Sequence, residues 1–263
     1  MSEDRPSITT IRKGCDRQPV AWGADNWKTD ISEQSATYVE STAVHGHRIA
    51  EGPTNGLQSW WKLTESNSPS TLTDSVGGHH ATLHGGNFVN TSRGTAVYFD
   101  GNDHASVELP FTQSFTTSIW AKSGPSSGWS GSGVLLSARD ANGFIIHPRD
   151  GSREWGGYVL DTTDNSHHQI ADDHPISNID VWHQYAITYD HESGVAISYF
   201  DGAKQGATTL QIPREEATIT TYFGRDTGGH QDRYYVGYLS EVRYYSRALS
   251  STEIESLYTA TNK

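Results

Sequence analysis

Short runs in which apolar and polar residues alternate recur along most of the chain. In "WHQYAITYDHESGVAISYFDGAKQG", residues 182–206, Tyr185, Ile187 and Tyr189 alternate with smaller or polar residues. After the turn Asp190-His191-Glu192-Ser193-Gly194, Val195, Ile197 and Tyr199 alternate again. A period of two on either side of a glycine-containing turn predicts a β-hairpin with one face buried. From Gly56 onward similar runs follow at short intervals, among them "TAVYFD", "SFTTSIWAK", "GVLLSA", "GFIIH", "GYVLD" and "TITTYFG", with Gly, Asp, Asn, Pro or Ser between them. About ten strands without an intervening helical period predict an all-β sandwich. Only the end departs. In "SRALSSTEIESLYTA", Ser250 or Ser251 is an N-cap candidate with Glu253 in the first turn, predicting a short C-terminal helix. Residues 1–55 are polar apart from features such as Trp22 and Trp27, and read as an ordered arm packed on a main domain of residues 56–263.

Hydrophobic residues make up 34% of the chain, aromatic residues 11%, and there are 26 glycines, a composition suited to a sandwich filled from short strands. The net charge of −12 repels phosphate backbones and sets nucleic acid aside as a partner, while leaving neutral glycans, cationic ligands or a divalent metal. Cys15 is the single cysteine, so no intramolecular disulfide forms, and no thiol-activating residues surround it. No run is long enough to span a bilayer. The start, "MSEDRPSITTIRKGCDRQP", lacks the apolar stretch of a secretory signal, which leans the expectation toward a protein inside the cell unless a leader has been removed.

Several segments, in order, resemble the laminin-G-like jelly roll of the concanavalin A-like superfamily. "GLQSWWKLTES" (56–66) resembles its opening strand and "DSVGGHHATLHGG" (74–86) its Asp-Ser-x-Gly loop. "GTAVYFDGNDHASVEL" (94–109) resembles its Phe-Asp-Gly turn, and "GYLSEVRYYSRALSSTEI" (237–254) its closing strand and helix. The resemblance covers about residues 56–258. It implies two stacked antiparallel sheets, one curved into a concave face. Members commonly bind carbohydrate or protein, often with calcium, and related jelly rolls include glycan hydrolases and lyases, so fold does not decide function.

The candidate chemistry follows from that frame. Trp60, Trp120 and Trp182 lie in strand patterns and are expected to be buried, whereas Trp129 and Trp155 lie in glycine-rich stretches where each is either a sugar-stacking platform or a loop anchor. "YFGRDTGGHQDRYYVG" (222–237) resembles the loop in which pentraxins place calcium ligands, here Asp226 and Asp232. The acidic partner positions are absent from "GSGVLL", so a full site of that type is not expected. Asp74 and Asp100, flanked by glycine turns, are either structural calcium ligands or caps of their own turns, and the capping reading is preferred. No cofactor is required, and a structural calcium is the one this pattern allows. The histidine pairs at 79–80 and 167–168 do not read as zinc ligands, because adjacent strand residues point to opposite faces. No Glu-x-Asp-x-x-Glu pattern of glycan hydrolases is present.

The stretch 144–174 is rich in His, Asp and Arg. If His147 and Asp161 share a face they form an acid–base pair. The expected site therefore comprises Trp129, His147, Trp155, Tyr158, Asp161, Arg225, His230 and Arg233 on the concave face and its rim loops. The leading function is a carbohydrate- or small-ligand-binding module. The alternative is a non-hydrolytic enzyme, a lyase, isomerase or cyclase, working by proton transfer through His147, Tyr158, Asp161 and His230. A protein–protein adhesion module is the third reading, weakened by the lack of disulfides and repeats.

Overall fold

A computed structural model describes residues 51–65, 69–123, 133–139, 143–148, 154–161, 166–170, 174–176, 178–212, 216–226 and 233–262. All of them belong to residues 48–263, the second of two units into which the chain divides. In chain order the strands are β1 (Leu57–Trp61), β2 (Thr71–Leu72), β3 (Ala81–His84), β4 (Asn87–Thr91), β5 (Gly94–Asp100), β6 (His104–Phe111), β7 (Phe115–Ser123) and β8 (Leu136–Ala138). They continue with β9 (Phe144–Pro148), β10 (Glu154–Asp161), β11 (Ser166–Gln169), β12 (His174–Pro175), β13 (His183–Asp190), β14 (Val195–Phe200), β15 (Ala203–Thr209), β16 (Ala217–Phe223) and β17 (Val236–Tyr245), before helix α1 (Ser251–Thr261).

These strands form two antiparallel sheets. The eight-stranded sheet has the order β15-β14-β13-β7-β17-β5-β4, with β1 on β17; the nine-stranded sheet has the order β11-β10-β9-β8-β16-β6-β3-β2, with β12 on β10. The architecture is the all-β sandwich that the alternating pattern predicts, in the jelly-roll form that the resemblance implies. Its core is aromatic. Phe115 and Tyr244 of the eight-stranded sheet meet Phe111 and Phe144 of the nine-stranded sheet, with ring centroids 5.2 Å (Phe111–Phe115) and 5.3 Å (Phe115–Phe144) apart. Trp61 meets Phe223 edge-on at 5.1 Å, and Trp155 meets Tyr185 at 5.3 Å. Pairs of this kind add roughly 0.5–1.5 kcal/mol beyond the burial of their area.

Both faces of the 182–206 hairpin are covered. Tyr185, Ile187 and Tyr189 point into the sandwich, whereas Ala186 and Tyr199 pack on the other side with Tyr245, Leu249, Ile254 and Leu257. The last two belong to α1, which lies on the outer face of the eight-stranded sheet. Its start has the predicted capping box: the Ser250 hydroxyl accepts from the Glu253 N–H, and the Glu253 carboxylate accepts from the Ser250 N–H. Arg247 holds the same carboxylate at 2.5 Å.

Trp60 and Trp120 are buried, as the strand pattern predicts, but on this outer face and not in the sandwich core. Trp120 stacks on Tyr258 of α1 at 5.5 Å, and its Nε1 donates to Thr261 Oγ1. Arg93 lies 3.5 Å above the Trp120 ring and donates through Nη2 to the Thr261 carbonyl. No basic residue occupies the last turn of α1, so Arg93 supplies from the β4–β5 turn the cation that complements the helix C-terminus.

Candidate functional site

The outer face of the nine-stranded sheet is built differently. Cross-strand partners in a sheet share a face, so the registers Thr82↔Ser106, Ser106↔Tyr222, Tyr222↔Ser137, Ser137↔Ile145, Ile145↔Tyr158 and Tyr158↔Gln169 draw one belt across seven strands. Their chain neighbours Leu83, Val107, Phe223, Leu136, Ile146 and Val159 are in the core, which places the belt on the side away from it. At the β8–β10 end the belt is apolar, with Ile145, Leu160 and Val134 buried together. At the β3–β6–β16 end it is half-buried, aromatic and polar.

That end is organised around His104. Its ring stacks on His84 at 4.4 Å with an interplanar angle of 12°, and lies 6.1 Å from Tyr222 and 5.9 Å from Tyr234. The guanidinium carbon of Arg225 lies 5.1 Å from the Tyr234 ring and 5.8 Å from that of Tyr222. Arg225 Nη1 is 3.4 Å from His104 Nε2. Arginine only donates, so Nε2 is the acceptor and His104 is neutral, with its proton on Nδ1. Burial, followed by the neighbouring His84 and Arg225 charges, pushes the His104 pKa down to about 4. Arg225 Nε and His104 Nδ1 are both buried without a hydrogen-bond partner.

Local chemistry sets this geometry. Gly224 adopts φ 77°, and a side chain there would meet Phe99 Cδ2 at 2.3 Å, so glycine alone allows the chain to turn at the end of β16. Ser137 Oγ then donates to the Arg225 carbonyl at 2.8 Å and fixes the backbone. The next residue, Asp226, is fully buried and accepts from Arg139 Nε (2.5 Å) and Nη2 (2.6 Å), with Arg233 Nη1 at 3.5 Å. Arg139 Nη1 also reaches His167 Nε2 at 2.9 Å.

Of the residues expected from sequence, Arg225, His147 and Tyr158 lie on this face, the latter two stacked at 5.1 Å and 9°. Arg233 joins it through Asp226. Two expectations are corrected. Trp155 is in β10 and is 1% exposed, so its indole presents no platform to a ligand. His147 and Asp161 do not face each other: the register Tyr158↔Ile145 puts His147 with Tyr158 on the outer face, and Asp161, two residues on from core-facing Val159, shares the opposite one. The acid–base pair is therefore not assembled. Asp226 is held between two arginines. Trp129, His230 and Asp232 lie outside the described residues.

Asp74 caps its own turn. It accepts the backbone N–H groups of Trp60, Val76, Gly77 and His79 at 2.8–3.1 Å. Burial raises its pKa, but these donors together outweigh that and hold the carboxyl below its ordinary range. Asp100 likewise accepts from the Asn102 N–H at 3.0 Å. Among the described residues no three His, Cys, Asp or Glu side chains gather as a metal site. His167 and His168 pair with Leu160 and Val159 and so point to opposite faces of β11. No helix among the described residues is long and apolar enough to cross a membrane.

His84, His104, Tyr222, Tyr234 and Arg139 were not singled out by the sequence. The signal for His104 and Tyr222 was present as outward positions of amphipathic strands, in "HASVELPF" and "ATITTYF"; Arg139 and Tyr234 lie outside the strands.

The chain matches known proteins at the level of the fold. Residues 92–255 match the family model for the concanavalin A-like lectin/glucanases superfamily. No curated protein matches. Domain 4 of the extracellular arabinanase AbnA from Geobacillus stearothermophilus, solved in complex with arabinotriose, superposes with a TM-score of 0.61 at 16% identity, over 78% of this chain and 100% of that domain. The binding domain of Paraclostridial Mosquitocidal Protein 1 gives 0.59 at 18% identity over 80% of this chain and 52% of that one. The receptor binding domain of botulinum neurotoxin type G gives 0.56 at 15% over 78% and 51%. The chain thus spans about half the length of the two toxin domains. With its two-sheet jelly roll and a family match over most of the described strands, the chain belongs to the concanavalin A-like lectin/glucanases superfamily.

Proposed function

We propose that this jelly roll is a carbohydrate-binding module and that it binds its ligand on the outer face of the nine-stranded sheet, around Tyr222, Tyr234, His104 and His84. The carrying observation is a half-buried aromatic cluster with an arginine held over it on the outer sheet face, where its rings stay partly exposed. Aromatic rings offer an apolar face to the C–H side of a sugar. The surrounding Arg225, His84, Ser106 and Glu108 supply donors and acceptors for hydroxyl groups, the mix of apolar wall and few polar groups typical of small-ligand sites. Two likenesses support the reading: the arabinanase domain was solved with arabinotriose, and the toxin domains are binding domains by name.

The test is titration of a glycan panel with the wild-type chain and with Tyr222→Ala and Tyr234→Ala. The expected result is a bound oligosaccharide whose affinity falls about tenfold or more in each variant, equivalent to roughly 1.4 kcal/mol. Unchanged affinity in both variants contradicts the proposal.

A further inference from the structure

We infer that the sugar recognised on this face is acidic, and that Arg225 reads its carboxylate. The inference rests on the glycan-binding reading above and narrows it to a ligand class.

The argument begins with the charges facing the site. Asp226 accepts two hydrogen bonds from Arg139 and lies 3.5 Å from Arg233, so one carboxylate already serves two guanidinium groups. Arg225 is a third. Among the described residues no carboxylate forms an ion pair with it. Glu108, on the same face of β6, accepts from Thr220 Oγ1 at 2.6 Å, one register step beyond the Ser106–Tyr222 pair. His104 is neutral and adds no charge of either sign.

Arg225 is also fixed in place. Gly224 turns its backbone, Ser137 holds its carbonyl, and the guanidinium lies over Tyr222 and Tyr234. One N–H, from Nη1, is used on His104 Nε2. The Nε atom is buried and has no partner. The guanidinium is a planar fork that matches a carboxylate, and because Nε is enclosed it is the terminal Nη2 edge that is left to meet an incoming one. A sugar stacked on the tyrosines would present a ring carboxylate to that edge. The chain's net charge of −12 argues against a polyphosphate ligand, since the far field repels it while a local pairing to one carboxylate remains favourable.

Two acidic sources share this chemistry, a uronate and a sialate, and paired probes separate them. Trigalacturonate and its methyl ester form one pair; 3′-sialyllactose and its methyl ester form the other. Each is titrated by calorimetry into the wild-type chain, Arg225→Gln and Arg225→Lys. The expected result is that one acid binds at least about tenfold tighter than its ester, a difference of roughly 1.4 kcal/mol. Arg225→Gln should remove this preference, so that acid and ester bind alike. Arg225→Lys, which keeps the charge but not the fork, should recover only part of it. Equal binding of acid and ester overturns the inference and leaves the glycan-binding reading standing. A preference that survives in both variants overturns the role of Arg225. If none of these probes and no neutral glycan binds, the reading of the face itself fails.

Discussion

The two outer faces of the sandwich use the same pairing of an arginine with aromatic rings to different ends. On the eight-stranded sheet Arg93 lies 3.5 Å above Trp120, and helix α1 closes over both, leaving Trp120 1% exposed. On the nine-stranded sheet Arg225 lies 5.1 Å from Tyr234, and both Tyr222 and Tyr234 remain half-buried. In the first case the cation finds a partner within the chain, the Thr261 carbonyl at the end of α1. In the second Nη1 meets the ring of His104 at 3.4 Å, and both guanidinium groups keep buried N–H groups without partners, Nε and Nη1 in Arg93 and Nε in Arg225. What separates the two pairs is cover: α1 lies over the first, whereas the rings of the second stay partly exposed.

The comparison can be broken most severely at Trp120. Truncation to Ala leaves a large cavity under α1 and removes the hydrogen bond to Thr261, for an expected loss of about 3–5 kcal/mol in urea unfolding. Glycan affinity at 25 °C should be unchanged in the folded fraction, because the two faces are separated by the core. A destabilisation below about 1 kcal/mol would mean that α1 does not depend on Trp120. The opposite pattern is expected for Tyr222→Ala and Tyr234→Ala, which lower affinity by about tenfold with only a small change in the unfolding midpoint. A smaller effect comes from the cap of α1: Ser250→Ala should cost about 1 kcal/mol of stability and leave binding intact.

The smallest effects are opposite pH slopes from two histidines. Burial lowers the His183 pKa, but the 2.7 Å contact to Asp201 and the Asn178 carbonyl outweigh it, so the value is raised above 6.5. Its stabilisation is complete below 6.5 and is lost as pH rises through the raised value. His104, lowered to about 4, behaves in reverse. Between about 4 and 6.5 the unfolded chain binds a proton that the folded chain does not, so stability falls as pH falls through that window. His183→Gln should flatten the neutral side of the stability profile and His104→Gln the acid side. Variants that leave both sides of the profile unchanged would contradict these assignments.

Much of this was legible in the sequence. The strands, the hairpin and the Ser250–Glu253 cap follow from local periodicity and capping chemistry, and each is local in space as well as in sequence. The misplacement of Trp155 has a definite cause. "GSREWGGY" looks like a turn, yet Gly156 and Gly157 lie within β10. A side chain at Gly156 would strike the Tyr158 ring at 2.7 Å, and one at Gly157 would meet Ile187 at 3.3 Å. These glycines make room for rings and for the opposing sheet. The relation of His147 to Asp161 depended on a register that alternation within each strand does not contain. The His104–Arg225 contact joins positions 121 residues apart, and only the β6–β16 pairing brings them together.

The most direct measurement is amide chemical-shift mapping of the ¹⁵N-labelled chain during titration with the oligosaccharide that binds best. The account predicts shifts concentrated at residues 104–106, 137 and 222–225 on the nine-stranded sheet, with residues 57–62, 93 and 120 on the eight-stranded sheet unmoved. Shifts gathered around Trp60, Arg93 and Trp120 instead would show that the covered face is the binding face and would contradict it.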